Sequence, residues 1–126
     1  MIKDFILVGI GSFVGGGMRF LVSKWVQSLT LLSFPFGTFA VNVLGCLIIG
    51  FLSGQSWSGS IMTPNTKLIL TTGFCGGFTT FSTFMNESSL LMKDENYFYF
   101  VFYLFGSLAL GLLALLFGHW LAIRLL

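Results

Sequence analysis

Apolar residues run almost unbroken through four stretches, about residues 4–26, 34–54, 66–92 and 97–123, and the few polar clusters fall between them. Each stretch supplies the roughly 20 apolar residues that a helix needs to cross about 30 Å of hydrocarbon. Turn residues mark the joints: Ser33 to Pro35 opens the second stretch, a Ser and Gly-rich segment over 55–65 with Pro64 precedes the third, and Lys93-Asp94-Glu95-Asn96 leads into the fourth. The pattern predicts an all-α integral membrane protein with four transmembrane helices in one domain over residues 1–126, both termini on the same side. The first run follows Lys3 as in a signal peptide, but it contains Arg19 and reaches Trp25 without a small-residue cleavage site, so it is expected to be a retained span.

The third stretch is expected to break. From Lys67 to Lys93 a continuous helix would be about 40 Å long, and its midpoint is Thr80. Gly76, Gly77, Thr79, Thr80, Phe81, Ser82, Thr83 and Phe84 therefore cluster at mid-depth, where paired glycines and hydroxylated or β-branched residues weaken regular helix. Lipid cannot satisfy a loosened backbone, so such a segment is tolerated only against protein or a wet cavity. Two readings follow: freed carbonyls that could bind a hard cation, or hydroxyls that bond back within the helix.

Composition agrees with the membrane assignment, with 56% hydrophobic residues, 8% charged and a mean hydropathy of +0.96. Six Lys and Arg against four Asp and Glu give a net charge of +2, with no basic run that could track a nucleic-acid backbone. Lys3, Lys67 and Arg124 flank one side of the membrane, and Lys24 and Lys93, with Arg19 nearer them, flank the other. Orientation is read from Lys and Arg asymmetry, and here there is none. Either the chain inserts both ways and pairs as an antiparallel dimer, or something else fixes its topology. Trp25, Trp57 and Trp120 fit interfacial belts, His119 reads as interfacial packing, and Cys46 and Cys75 read as buried thiols without metal-ligand spacing.

Small residues recur four apart in every span: Gly11 and Gly15, Gly50 and Gly54, Gly73 and Gly77, Ser107 and Gly111. That spacing lets helix backbones approach closely in lipid. Thr38 and Asn42 share a face of the second span, and Tyr103, Ser107 and Gly111 share one on the fourth. Facing Ser82 and Thr83, they would form a donor-lined track, or each would serve as inter-helix glue. Arg19 and Glu87 are the charges well inside the span ends, at similar depth; they pair, or Arg19 draws anions into a mouth while Glu87 fixes packing. A bare ion in low dielectric faces a Born cost of about 20 kcal/mol, so a path must supply oriented dipoles. Hydroxyl and amide hydrogens, with the positive ring edges of Phe81 and Phe84, suit a small anion.

Three ordered motifs, GFCGGFTTFSTF at 73–84, GTFAVNVLG at 37–45 and GGMRF at 16–20, resemble the Fluc (CrcB) fluoride channels over essentially the whole chain. The resemblance implies a passive, fluoride-selective channel of the cell (inner) membrane that relieves cytoplasmic fluoride toxicity. Its architecture would be an antiparallel, dual-topology homodimer with two pores. It implies that Phe81 and Phe84 line the pore, that Asn42 and Thr38 border the path, and that Ser82, Thr83, Tyr103 and Ser107 belong to the polar track. Gly111 stands where some members carry another hydroxyl. The Gly76 and Thr79 carbonyls would hold a central, structural sodium ion shared between subunits. The alternative is a proton-coupled exporter of the small multidrug resistance type, which needs a mid-depth carboxylate in the first span; only Asp4, at its start, is present.

Overall fold

The computed structural model describes residues 1–55 and 63–125, and over them the chain is helical between short turns. Four stretches are long and apolar enough to cross a membrane: Ile2–Ser28, Phe36–Ser53, Pro64–Lys93 and Tyr97–Leu125. Every end lies within two residues of its sequence-based position. The first and second spans are single helices, α1 (Ile2–Ser28) and α2 (Phe36–Ser53). Trp57 and most of the segment joining the second and third spans lie outside the described residues.

The third span is composite. It opens as α3 (Pro64–Leu68), where Thr63 accepts the Thr66 N–H at 3.2 Å and Pro64 occupies the first turn, which tolerates its missing donor. Wider π-helical turns follow over Ile69–Cys75, then the short α4 (Gly76–Phe78), a break, and α5 (Ser82–Lys93). The break was expected; the π-helical stretch was not. Across it, the Ser12 hydroxyl of α1 donates to the Gly73 carbonyl at 3.1 Å. The Thr71 hydroxyl turns back to the Lys67 carbonyl at 2.7 Å, competing with backbone donors.

The turn after α5 closes its helix end economically. Glu95 N–H bonds the Met92 carbonyl at 3.0 Å and Asn96 N–H bonds the Leu91 carbonyl at 2.9 Å, the paired bonds of a Schellman motif. Glu95 takes a φ of 57°, a conformation usually left to glycine. Asn96 then accepts the Tyr99 N–H and starts the fourth span, α6 (Tyr97–Leu125).

Two close helix contacts set the packing. α1 lies against the third span through Gly11, Gly15, Gly73 and Gly77; a Cβ at Gly15 would collide with the Phe74 carbonyl, and one at Gly77 would lie 2.6 Å from the Ser12 carbonyl. α2 lies against α6, with Gly50 against the Leu115 carbonyl and Gly118 against that of Leu47. No water-driven force holds helices together in lipid, so close van der Waals contact is the main attraction. An aromatic cluster of Phe34, Phe84 and Tyr103, with Leu91, forms the buried core at one end. Much of the outer surface is apolar, with Phe5, Phe13, Leu112 and Leu116 exposed, as suits contact with acyl chains.

Candidate functional site

The helix break is held from outside by one side chain. Asn42, near the middle of α2, donates from Nδ2 to the Thr80 carbonyl at 3.0 Å and accepts the Thr80 N–H on Oδ1 at 2.8 Å. In a continuous helix the Thr80 N–H would bond the Gly76 carbonyl, four residues back. Likewise the Thr83 N–H, which would bond the Thr79 carbonyl, instead meets Thr80 Oγ1 at 3.3 Å. Both diversions release a carbonyl from the helical ladder, and the residues released are Gly76 and Thr79. Two neighbouring carbonyls are occupied: the Cys75 carbonyl receives the Thr79 N–H at 3.0 Å and the Thr79 hydroxyl at 2.9 Å, and the Gly77 carbonyl receives Arg19 Nε at 3.2 Å.

A cavity of about 660 Å³ lies beside the break. Asn42, Gly76, Thr79, Thr80, Phe81, Phe84 and Ser107 line it, with Cys46 and Cys75, and no charged residue is among its lining. The Ser107 hydroxyl oxygen is buried and has no partner among the described residues, so its hydrogen-bonding capacity is unspent. Cys46 and Cys75 are free thiols.

A second cavity, of about 250 Å³, collects the charges: Arg19, Lys24 and Glu87 line it with Ser23, Gln27, Thr38, Thr80 and Thr83. Thr80 borders both cavities, so the charged one, a candidate mouth, and the neutral one, a candidate chamber, adjoin at the residue that Asn42 clamps. Arg19 and Glu87 share the mouth, but each is engaged elsewhere. Arg19 reaches the Gly77 carbonyl, and Glu87 Oε1 accepts the Tyr103 hydroxyl at 3.0 Å. No ion pair joins them among the described residues.

The phenylalanines differ in placement. Phe81 precedes α5 and is 72% exposed, whereas Phe84, one turn on, is 5% exposed. Their ring centroids are 6.3 Å apart in an edge arrangement, and Phe84 continues to Tyr103 at 5.0 Å. Tyr103 is fully buried, with Thr38 beside its phenol oxygen. The structure thus brings Phe81, Phe84, Asn42 and Ser107 to the neutral chamber, Thr38 and Thr83 to the mouth, and Tyr103 between Phe84 and Glu87. Ser82 is exposed at the start of α5, outside the lining of either cavity.

Sequence reasoning missed Thr80 as the residue shared by both cavities, although its position at the midpoint of the span was visible. It also missed Gln27, whose Oε1 accepts the Gly37 N–H and whose Nε2 donates to the Phe34 carbonyl, both at 3.0 Å. A lone Gln at a helix end carries no signal of that role.

A sequence model of the family described as CrcB-like protein, Camphor Resistance (CrcB), matches residues 6–119. Among curated proteins, the Fluoride-specific ion channel FluC of Chlorobium phaeobacteroides (strain BS1) is 51% identical over 117 residues, covering 93% of this chain and 91% of that one. Its namesake from Chlorobium chlorochromatii (strain CaD3) is 49% identical over 90% of this chain and 87% of its own. That of Chlorobaculum tepidum is 48% identical over 97% and 96%.

Proposed function

The chain belongs to the CrcB family, and from that premise we propose that it is a multi-pass membrane channel through which fluoride leaves the cytoplasm passively, relieving fluoride toxicity. It is a transport protein, not an enzyme. One observation carries the reading: the largely apolar chamber beside the helix break carries the Asn42 amide, the hydroxyls of Thr79, Thr80 and Ser107 and the rings of Phe81 and Phe84 without a charged residue, while Arg19, Lys24 and Glu87 stay at the second cavity. Cations at a mouth concentrate anions, and a neutral donor lining replaces hydration without trapping the ion. The unpartnered Ser107 hydroxyl is such a donor, and the Phe81 and Phe84 rings that border the chamber would add their positive edges. Asn42 has one amide hydrogen left after its bond to Thr80, and that hydrogen is available to the anion.

A second copy completes the path. Phe81, largely exposed in one chain, borders the chamber and would be covered by a partner packed on that side. The balanced Lys and Arg count of the two flanks supports an antiparallel, dual-topology pair. A structural sodium ion fits the same face. No cluster of three His, Cys, Asp or Glu side chains occurs among the described residues, so the donors would be backbone oxygens. The freed carbonyls of Gly76 and Thr79 are the hard ligands such an ion takes, and two copies would offer four. When bound, the ion would fix the break and neutralise those dipoles; the residues of the path move the anion.

The proton-coupled exporter reading needs a titratable carboxylate near mid-depth in the first span, where the one carboxylate is Asp4, at its start. Purified protein in liposomes loaded with fluoride tests the proposal: efflux well above that of protein-free liposomes is expected. Absence of such flux, or flux that requires a proton gradient, overturns it.

A further inference from the structure

Phe34 lies in the connection between α1 and α2, outside both cavities, yet it is 2% exposed and meets five aromatic rings. Its centroid is 4.6 Å from Phe36, 5.8 Å from Phe39, and 5.5 Å from each of Tyr99, Phe102 and Tyr103. The contact with Tyr103 is edge-on, with the ring planes at 84°. Phe84 meets Tyr103 in another edge contact at 69°. Tyr103 is therefore held by the chamber's own phenylalanine and by a ring inserted from the connecting loop. Edge-to-face contacts are directional, so the pair fixes the ring plane as well as filling space.

The backbone carrying Phe34 is itself secured. Gln27 Nε2 and the Phe36 N–H both donate to the Phe34 carbonyl, at 3.0 and 2.8 Å, and Pro35 restricts the residue before it to extended backbone. Gln27 Oε1 holds the start of α2 at Gly37, where a Cβ would collide with the Ser23 carbonyl of α1. The loop cannot slide without breaking these contacts, so the ring enters the cluster at a fixed point. Held there, the Tyr103 hydroxyl stays on Glu87 at the mouth, and the Tyr103 ring backs Phe84 at the chamber.

We propose that Phe34 is a positioning residue for permeation: inserted from the α1–α2 connection, its ring fixes Tyr103, and through Tyr103 both the Glu87 carboxylate and the Phe84 ring. This rests on the channel reading for its flux consequence, though not for its geometry. A group acting through oriented neighbours loses function when its support is loosened, even though it never touches the ion.

The test compares Phe34→Ala, Phe34→Leu and Phe34→Trp with the unmodified chain in two measurements: fluoride efflux per dimer from liposomes, and the fluorine NMR signal of Tyr103 in protein made with 3-fluorotyrosine. The Tyr103 signal is identified by its loss in Tyr103→Phe. Phe34→Ala and Phe34→Leu are expected to lower efflux by on the order of tenfold and to shift or broaden the Tyr103 signal, with an unchanged dimer elution profile. Phe34→Trp, which keeps an aromatic edge, is expected to restore both. The proposal is overturned if Phe34→Leu conducts as well as Phe34→Trp, because then only volume matters, or if the Tyr103 signal is unmoved in Phe34→Leu. Should the unmodified chain pass no fluoride, the channel reading falls. The Tyr103 signal then decides the placement role alone, a shift in Phe34→Leu reversed in Phe34→Trp supporting it and no shift overturning it.

Discussion

Asn42 and Thr80 exchange two hydrogen bonds, 3.0 Å from the amide Nδ2 to the carbonyl and 2.8 Å from the backbone N–H to Oδ1, so a side chain of the second span replaces the helical ladder of the third. Asn42→Asp keeps the acceptor but removes the donor and turns a carboxylate oxygen toward the Thr80 carbonyl. Losing this part-buried bond and leaving its acceptor unpaired costs about 1 kcal/mol or more. We expect a lower thermal midpoint in detergent and fluoride efflux near that of empty liposomes. A variant with unchanged melting and flux would show that the clamp supports neither the break nor the path.

The glycines should divide sharply by what lies over them. Gly15 faces the Phe74 carbonyl, so Gly15→Ala forces α1 away from the third span; overpacking of this kind costs about 1–3 kcal/mol or more. Nothing lies within 4 Å of the position a Cβ would take at Gly9, where alanine improves helix propensity by about 1 kcal/mol. Thermal melts of purified protein should therefore fall for Gly15→Ala and hold or rise for Gly9→Ala. Equal behaviour of the two would mean that α1 does not pack on the third span through this face.

The span limits were legible because burial in lipid demands long apolar runs whatever the tertiary arrangement, and the break was legible from the poor helix formers around mid-span, though it falls at Thr79 to Phe81 while Gly76 and Gly77 stay helical in α4. What the runs could not reveal was which polar atom meets which. Arg19 and Glu87 stand at similar depth, yet their partners are the Gly77 carbonyl and the Tyr103 hydroxyl, choices made by the rotation of α1 and α6. Ser82 belongs to the same motif as Phe81 and Phe84, but the restart of the helix turns it outward. Phe34 was read as part of a turn, since its meaning depends on rings brought together from α2 and α6. The π-helical turns over Ile69–Cys75 left no mark in hydropathy, which does not register hydrogen-bond spacing.

Phe81 and Phe84 should respond differently to loss of the ring. Phe81 is largely exposed in one chain and would be covered by the partner in the proposed dimer, so Phe81→Ile is expected to collapse fluoride efflux while dimers still form and the packing inside each chain is kept. Phe84 packs edge-on against Tyr103, so Phe84→Ile should lose both flux and stability, the latter by about 1 kcal/mol for the aromatic pair. The checks are liposome efflux and detergent melting curves on the same preparations. Undiminished flux in both variants would remove ring edges from the mechanism.

The proposed sodium site on the two freed carbonyls predicts a sodium-dependent stability. An ion that binds only the native protein raises its stability by about 2.7 kcal/mol at a hundred times its dissociation constant. The thermal midpoint should therefore climb and saturate as sodium replaces N-methylglucamine at constant ionic strength. Asn42→Ala supplies the control that ties the effect to the break. Without the amide, the Thr80 N–H is free to return to the Gly76 carbonyl, four residues back, and one of the proposed cation ligands per chain would be lost to the helix. That variant should melt at a temperature nearly independent of sodium. A flat response in the unmodified chain would dismiss the ion. An unaltered response in Asn42→Ala would place it on other oxygens than those the clamp releases.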